Sequence, residues 1–363
     1  MSLFAKINQK NKHTLHNNQE SSNSLKTFKK AEQLPLFIQE YMVNRLSLGY
    51  SKNTIQRYIY DYFAFFQFIE RIAGDDAFSP QSITLDDFLE LEKEGIEHYI
   101  SYLALELENE PTTINRKISA LQSLFDFLVK RGDAPTNPVL SVQRPKNGKR
   151  EPVYLTKPEL HSLLSWLKEP HYSTKKQAFY QEKLKSRDYV TFYLLMTTGL
   201  RISELAYLAI GQIDFGQSRL KIKGKGNKER SIPLSAATIN VMKAYLHDIP
   251  SDQRPSDADD YFIVGYDFTK KAYTNGVSIS SLQKMIKRTI EQAKHQLPFL
   301  TFKKISAHKL RHSFATELVA SGTDVLTVQT LLGHESVSTT QVYAHVQQEA
   351  REKAIANLLI TNE

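Results

Sequence analysis

The chain is predicted to be mainly α-helical: a four-helix N-terminal domain followed by a mixed α+β domain with a small antiparallel sheet. Three observations predict this. Apolar residues recur at helical spacing over most of the chain. Only Arg219 to Lys223 and Glu229 to Pro233 suggest strands, and they flank the turn Gly224-Lys225-Gly226-Asn227, as a hairpin would. Between the halves, residues 133–152 hold Pro135, Pro138, Pro145 and Pro152 with Arg144, Lys146, Lys149 and Arg150, without periodicity, which is the composition of a linker.

Residues 1–30 are polar, rich in Asn, Gln and Lys, and lack the apolar core of a signal peptide; they are expected to form a flexible tail. In residues 31–132, a first helix shows a stripe of Leu34, Phe37, Ile38, Tyr41, Met42 and Leu46 and stops at Gly49. Ser51 is the expected N-cap of a second, which carries Ile55, Tyr58, Tyr62, Phe65, Phe66 and Ile69. Thr84 to Asp87 has the form of a capping box, opening an element that leads into Ile96, Tyr99, Ile100 and Leu103. Thr112 or Thr113 is expected to cap a fourth helix with Ile118, Leu121, Leu124, Phe125 and Leu128, closed at Gly132.

The second domain, residues 153–363, opens with Thr156-Lys157-Pro158-Glu159, a helix start. His171 to Arg187 is polar and reads as an exposed insertion before an apolar helix, Tyr189 to Thr198, that ends at Gly199. A further helix is expected from Ser203, then the hairpin, then mainly helix to Ile360. No internal repeat is visible.

Composition narrows the function classes. There are no cysteines among the 363 residues, which excludes disulfides, thiolate nucleophiles and cysteine-ligated metal centres. No run approaches the ~18 apolar residues of a membrane span. The net charge of +8 invites a nucleic-acid partner, but five of those charges sit in the tail, so local clusters must carry the case. Lys52, Asn53 and Arg57 open the second helix, Asn115, Arg116 and Lys117 lie near the start of the fourth, and Arg144 and Lys146 lie in the linker. Helix N-termini attract phosphates; a solvated polar face has the same composition.

The chemistry concentrates late in the chain. His308 and Arg311 are three apart, on one face of a helix; Gly333-His334 follows an apolar run and looks like a helix stop; Tyr343 comes shortly after. A guanidinium, two imidazoles and a phenol suit an anionic, pentacoordinate phosphorus better than a carbonyl. His308 and His312 are four apart, but Lys309 stands where a zinc protease needs Glu, and Arg311 would repel a cation, so no metal is expected. Arg201, after Gly199-Leu200, suits either a phosphate clamp or an internal pair with Glu204. The two glycines around Lys225 do not fit a nucleotide-binding loop; the tip either offers Lys225 to a DNA groove or is a solvated turn.

Together, T-G-L-R-I-S-E-L, G-K-G-N-K-E-R, H-K-L-R-H-S-F-A-T, L-L-G-H and Y-A-H stand in the order found in the tyrosine recombinase (phage-integrase) family, which the chain resembles from about Ala31 onward. Within it, the length and the long segment before Tyr189 resemble the Xer recombinases that act as a single protein in streptococci and lactococci. The resemblance implies a SAM-like core-binding domain in front and a catalytic domain from Val153, in a cytoplasmic enzyme. It implies a catalytic set of Arg201, Lys225, His308, Arg311, His334 and Tyr343, with Tyr343 forming a 3′-phosphotyrosyl link to DNA. It further implies no cofactor, a homotetramer on two duplex DNA sites in which the apolar stripe of Gln347 to Ile360 docks on a neighbour, and a septal DNA translocase of the FtsK type as partner. The expected role is resolution of chromosome dimers at a dif-like site. An integrase of a mobile element would use the same chemistry, and a DNA-binding protein without catalysis would have no use for the full set.

Overall fold

A computed structural model describes residues 28–74, 78–148, 153–171, 174–224 and 229–333. The chain divides into two compact units, Met1–Arg150 and Glu151–Glu363.

The first unit holds α1 (Leu36–Ser47), α2 (Lys52–Ala73), α3 (Leu85–Leu89), α4 (Lys93–Ser101) and α5 (Pro111–Arg131). Local chemistry sets most of the boundaries. Ser51 Oγ accepts the Thr54 N–H at 3.1 Å, and Thr84 and Asp87 form a reciprocal capping box. Gly49 and Gly132 take the left-handed conformation that ends α1 and α5. The start of α5 differs from expectation: Glu110, not Thr112 or Thr113, is the N-cap, and Pro111 is the first helical residue. Proline lacks only an N–H that the first turn leaves unused, and it keeps the residue before it extended. The core is aromatic, with Tyr41, Tyr62, Phe65, Phe66, Tyr99 and Phe125 buried together.

The Pro-rich stretch is in part built into this unit. Ala134, Val139 and Val142 belong to its core, and Pro138–Ser141 forms a 3-10 turn capped by Asn137. Arg144 donates to Ser119 Oγ at 2.8 Å and to Gln122 Oε1 at 2.5 Å. The prolines here shape a packed turn.

The second unit begins with α6 (Lys157–Lys168), where the Glu159 carboxylate accepts the Thr156 N–H at 2.8 Å. Next is α7 (Lys175–Thr198), a helix of 24 residues. The expected exposed insertion is thus helical from Lys175. No Gly or Pro interrupts the helix, and Arg187 is buried, paired with Asp188 at 2.6 Å. After α8 (Ile202–Ala206) come β1 (Ile213–Asp214), β2 (Arg219–Lys223) and β3 (Glu229–Pro233), an antiparallel sheet in the order β1-β2-β3. The hairpin pairs Ile222 with Arg230 and Lys223 with Glu229.

α9 (Ala236–His247) is followed by a second antiparallel pair, β4 (Gly265–Asp267) and β5 (Ala272–Thr274), where helix was expected. Three-residue strands are too short to show a period. α10 (Ile279–Ala293), α11 (Ala307–Ala320) and α12 (Val325–Leu332) complete the described chain. The main core includes Leu194, Leu200, Leu205, Met242, Phe262 and Leu310, and Ala315, Val319, Val328 and Leu332 form a satellite cluster between α11 and α12. The expected helix at Gln347 to Ile360 lies outside the described residues. Among the described residues no helix is long and apolar enough to cross a membrane.

Within the first unit, Asp61 is buried and held by Arg116, with Lys117 at 3.9 Å. Removing a buried carboxylate leaves its cationic partners uncompensated, although the half-exposed Arg116 can turn to water. Asp61→Ala should therefore destabilise the protein by about 2 kcal/mol, read as a lower urea midpoint.

Candidate active site

Four helix ends meet in the second unit. α7 stops at Gly199, whose φ is +62°; a Cβ there would lie 2.5 Å from the Phe314 ring and 2.8 Å from Leu332 Cδ2. This close approach delivers Arg201 as the N-cap of α8. Ser306 caps α11, which puts His308 in its first turn and Arg311 one turn on. α12 stops at Gly333, again left-handed, with φ +64°.

Glu204 is the common partner. Arg230 Nη1 and Nη2 donate to its Oε1 and Oε2 at 2.9 and 2.7 Å, a bidentate pair. Arg201 Nη1 donates to Oε1 at 2.8 Å, and the Arg201 backbone N–H to Oε2 at 2.7 Å. Arg311 Nη1 lies 3.8 Å from Oε2.

The same guanidiniums hold helix-end carbonyls. Arg230 Nε donates to Leu331 O at 2.9 Å, Arg311 Nη2 to Leu332 O at 2.5 Å, and Arg201 Nη2 to Gly333 O at 2.8 Å; Arg311 Nη1 also donates to Gly199 O. These carbonyls carry the partial negative charge of the α7 and α12 C-termini.

Three guanidiniums around one carboxylate leave an excess of two positive charges, a setting for an anion. Burial pushes the Glu204 carboxyl up, but the Arg230 and Arg201 hydrogen bonds and charges outweigh it and hold the group below the ordinary glutamate value. His308 is lowered, by partial desolvation first and then by the charges of Lys309, Arg311 and Arg201. Its imidazole is thus neutral at pH 7. Arg311 is only 4% exposed, whereas the Arg201 side chain is 41% exposed and open to a ligand.

Arg201, far upstream in sequence, therefore shares one locus with His308 and Arg311. Lys225, His334 and Tyr343 lie outside the described residues. His312 is buried, edge-on to Tyr154 at 6.2 Å. Of the DNA-contact candidates, Lys52, Asn53, Arg57 and Lys146 are exposed. Arg116 and Lys117 face Asp61, Asn115 Nδ2 donates to Pro145 O at 2.9 Å, and Arg144 is engaged as described, so these four also have internal partners. Sequence reasoning missed Arg230. Its signal was an arginine in register with Ile232 on the inward face of β3.

The phage integrase family model matches residues 153–350. The chain is 31% identical to the tyrosine recombinase XerC of Caldanaerobacter subterraneus subsp. tengcongensis over 340 residues, covering 91% of this chain and 88% of that protein. It is 29% identical to the tyrosine recombinase XerD of Listeria innocua, covering 82% of this chain and 89% of that one. Two solved structures share the fold. The XerH site-specific recombinase bound to palindromic difH substrate has a TM-score of 0.64 at 21% identity, covering 93% of this chain and 87% of that one. The Tn1549 transposon integrase in complex with transposon right end DNA has a TM-score of 0.62 at 17% identity, covering 88% and 98%. The chain belongs to the phage integrase family, the tyrosine recombinases. It is by class a site-specific DNA recombinase, and the relatives it resembles over most of its length are Xer recombinases.

The burial difference between the two arginines has a measurable consequence. Arg311→Ala strips two helix-end carbonyls of a buried partner and should lower stability by about 2–4 kcal/mol. Arg201→Ala, at the solvent edge, should cost less than half of that in the same urea titration.

Proposed function

We propose that this chain is a Xer recombinase of the XerS kind, acting in the cytoplasm to resolve chromosome dimers at a dif-like site. The observation that carries the chemistry is the pair Arg201 and Arg311, anchored through Glu204 and the ends of α7 and α12, with neutral His308 in their field. Such a pair neutralises the non-bridging oxygens of a phosphodiester as charge builds in the transition state.

In this reading the Tyr343 phenol oxygen attacks the phosphorus in line. The bond to the 5′ oxygen breaks, and a 3′-phosphotyrosyl bond forms. His308, a free base at neutral pH, takes the phenol proton. Lys225 protonates the departing 5′ oxygen, and His334 donates to the scissile phosphate. A 5′-hydroxyl from the partner duplex then reverses the step on a new strand. The covalent link conserves the bond energy, so the cycle calls for no nucleotide, metal or other cofactor.

Exposed Lys52, Asn53 and Arg57 at the start of α2, together with Lys146, support a basic approach to the DNA backbone. Asn115, Arg116, Lys117 and Arg144 complete the proposed DNA-facing set. Binding through such contacts weakens steeply with salt. The working form is a homotetramer on two sites, with a septal translocase of the FtsK type as activator. The Xer names of its relatives support the cell-division role over integration of a mobile element.

A nicked suicide duplex tests the nucleophile: wild type should accumulate a covalent protein–DNA adduct and Tyr343→Phe none. Adduct persisting in that variant rejects Tyr343. Sequencing the chromosomal DNA trapped in cells reports the target, and a mobile-element junction in place of a terminus-region site overturns the dif assignment. Because His308 titrates below its ordinary value of 6.5, the acid limb of the cleavage-rate profile should fall below that pH. In His308→Asn the limb should disappear along with most of the rate.

A further inference from the structure

We infer that Arg230 is a positioning residue that fixes the start of β3 to the arginine cluster and so sets where the chain leaves the turn that carries the general acid. This rests on the reading of Lys225 as the proton donor given above. Arg230 stands on β3, five residues after Lys225 and paired across the hairpin with Ile222. Its guanidinium leaves the sheet and bridges two other segments. Nη1 and Nη2 grip both oxygens of Glu204 at 2.9 and 2.7 Å, and Nε reaches Leu331 O at 2.9 Å. Gly333, directly before His334, packs on the same side chain: a Cβ there would lie 3.2 Å from Arg230 Cδ.

One side chain thus ties the hairpin to the Glu204 that holds Arg201, and to the last turn of α12. The link is rigid for three reasons. The fork is bidentate, the side chain is only 10% exposed, and its partner Glu204 is equally buried. β1 pairs only with Arg219 and Leu220, so the part of the sheet from Lys221 to Lys223 and from Glu229 to Ser231 has two strands, and two strands by themselves are only marginally stable. A general acid displaced by about 1 Å loses on the order of 10²-fold in rate. Lysine does not reproduce the fork, because its ammonium is a point charge on a flexible stem, without the fixed planar spacing of Nε, Nη1 and Nη2.

The test compares two leaving groups in single-turnover cleavage. The probe is a synthetic suicide duplex of the sequence recovered with the covalent adduct. It is made once with the ordinary phosphodiester and once with sulfur replacing the 5′ bridging oxygen. In the second, the P–S bond breaks to a thiolate, which needs no proton. Arg230→Met and Arg230→Lys should cleave the oxygen duplex about 10²-fold slower than wild type, bind it equally well, and recover most of the rate on the sulfur duplex. Lys225→Ala is the control and should recover in the same way.

Equal slowing of both duplexes by the Arg230 variants, with Lys225→Ala rescued, overturns the inference and leaves Lys225 as the acid. If Lys225→Ala is not rescued either, the assignment of the acid fails and the inference falls with it. Lowered melting temperature with lost duplex binding in both Arg230 variants makes the residue a general stabiliser and also overturns the inference.

Discussion

The Glu204 carboxylate accepts from the side chains of Arg201 and Arg230 and from the Arg201 backbone, and it lies 3.8 Å from Arg311. Three like charges cannot be brought this close without an anion among them, since at a few ångströms their repulsion amounts to several kcal/mol even at an effective dielectric of about 20. Glu204 supplies that anion, and its Arg230 and Arg201 partners hold its pKa below the ordinary glutamate value. One carboxylate against three guanidiniums leaves the cluster under-neutralised. Such a balance suits the proposed grip on a phosphate while letting the protein fold without its substrate.

Helix ends do the rest of the assembly. α7 and α12 each finish on a left-handed glycine, Gly199 and Gly333, and the carbonyls around those stops point at arginines. Arg311 can be 4% exposed because its charge is met by two carbonyl dipoles as well as by Glu204. Arg201 leaves 41% of its side chain in solvent while holding Glu204 and Gly333 O. The buried arginine and the open one follow from where the helices stop.

Much of this was legible from residue order. The hairpin was readable because alternation flanked a glycine turn, and the caps at Ser51, Thr84 and Thr156 because each pairs a short polar side chain with the following turn. His308 and Arg311 were placed by helical spacing. What escaped depends on contacts between distant positions or on very short elements. The bond between Arg230 and Leu331 spans 101 residues, and no local pattern announces it. β4 and β5 are three residues each. At the start of α5 the threonines at 112 and 113 have cap chemistry, but Pro111 fixes the boundary by its ring. The polar half of α7 has the composition of an insertion, and only its lack of any helix breaker marks it as helix.

The arginines as helix caps bear on how such a protein can change over time. A lineage that abandoned strand cleavage while keeping its grip on DNA would ordinarily lose its reactive side chains first. Here Arg201 and Arg311, two of the side chains proposed for the reaction, also finish the ends of α7 and α12. Drift at Arg311 would fray the scaffold before any advantage of retirement was felt, whereas the exposed edge of Arg201 is freer to vary. Decay of the chemistry should therefore begin at groups that hold nothing else together, leaving fossils in which the buried guanidinium outlives the reaction it once served.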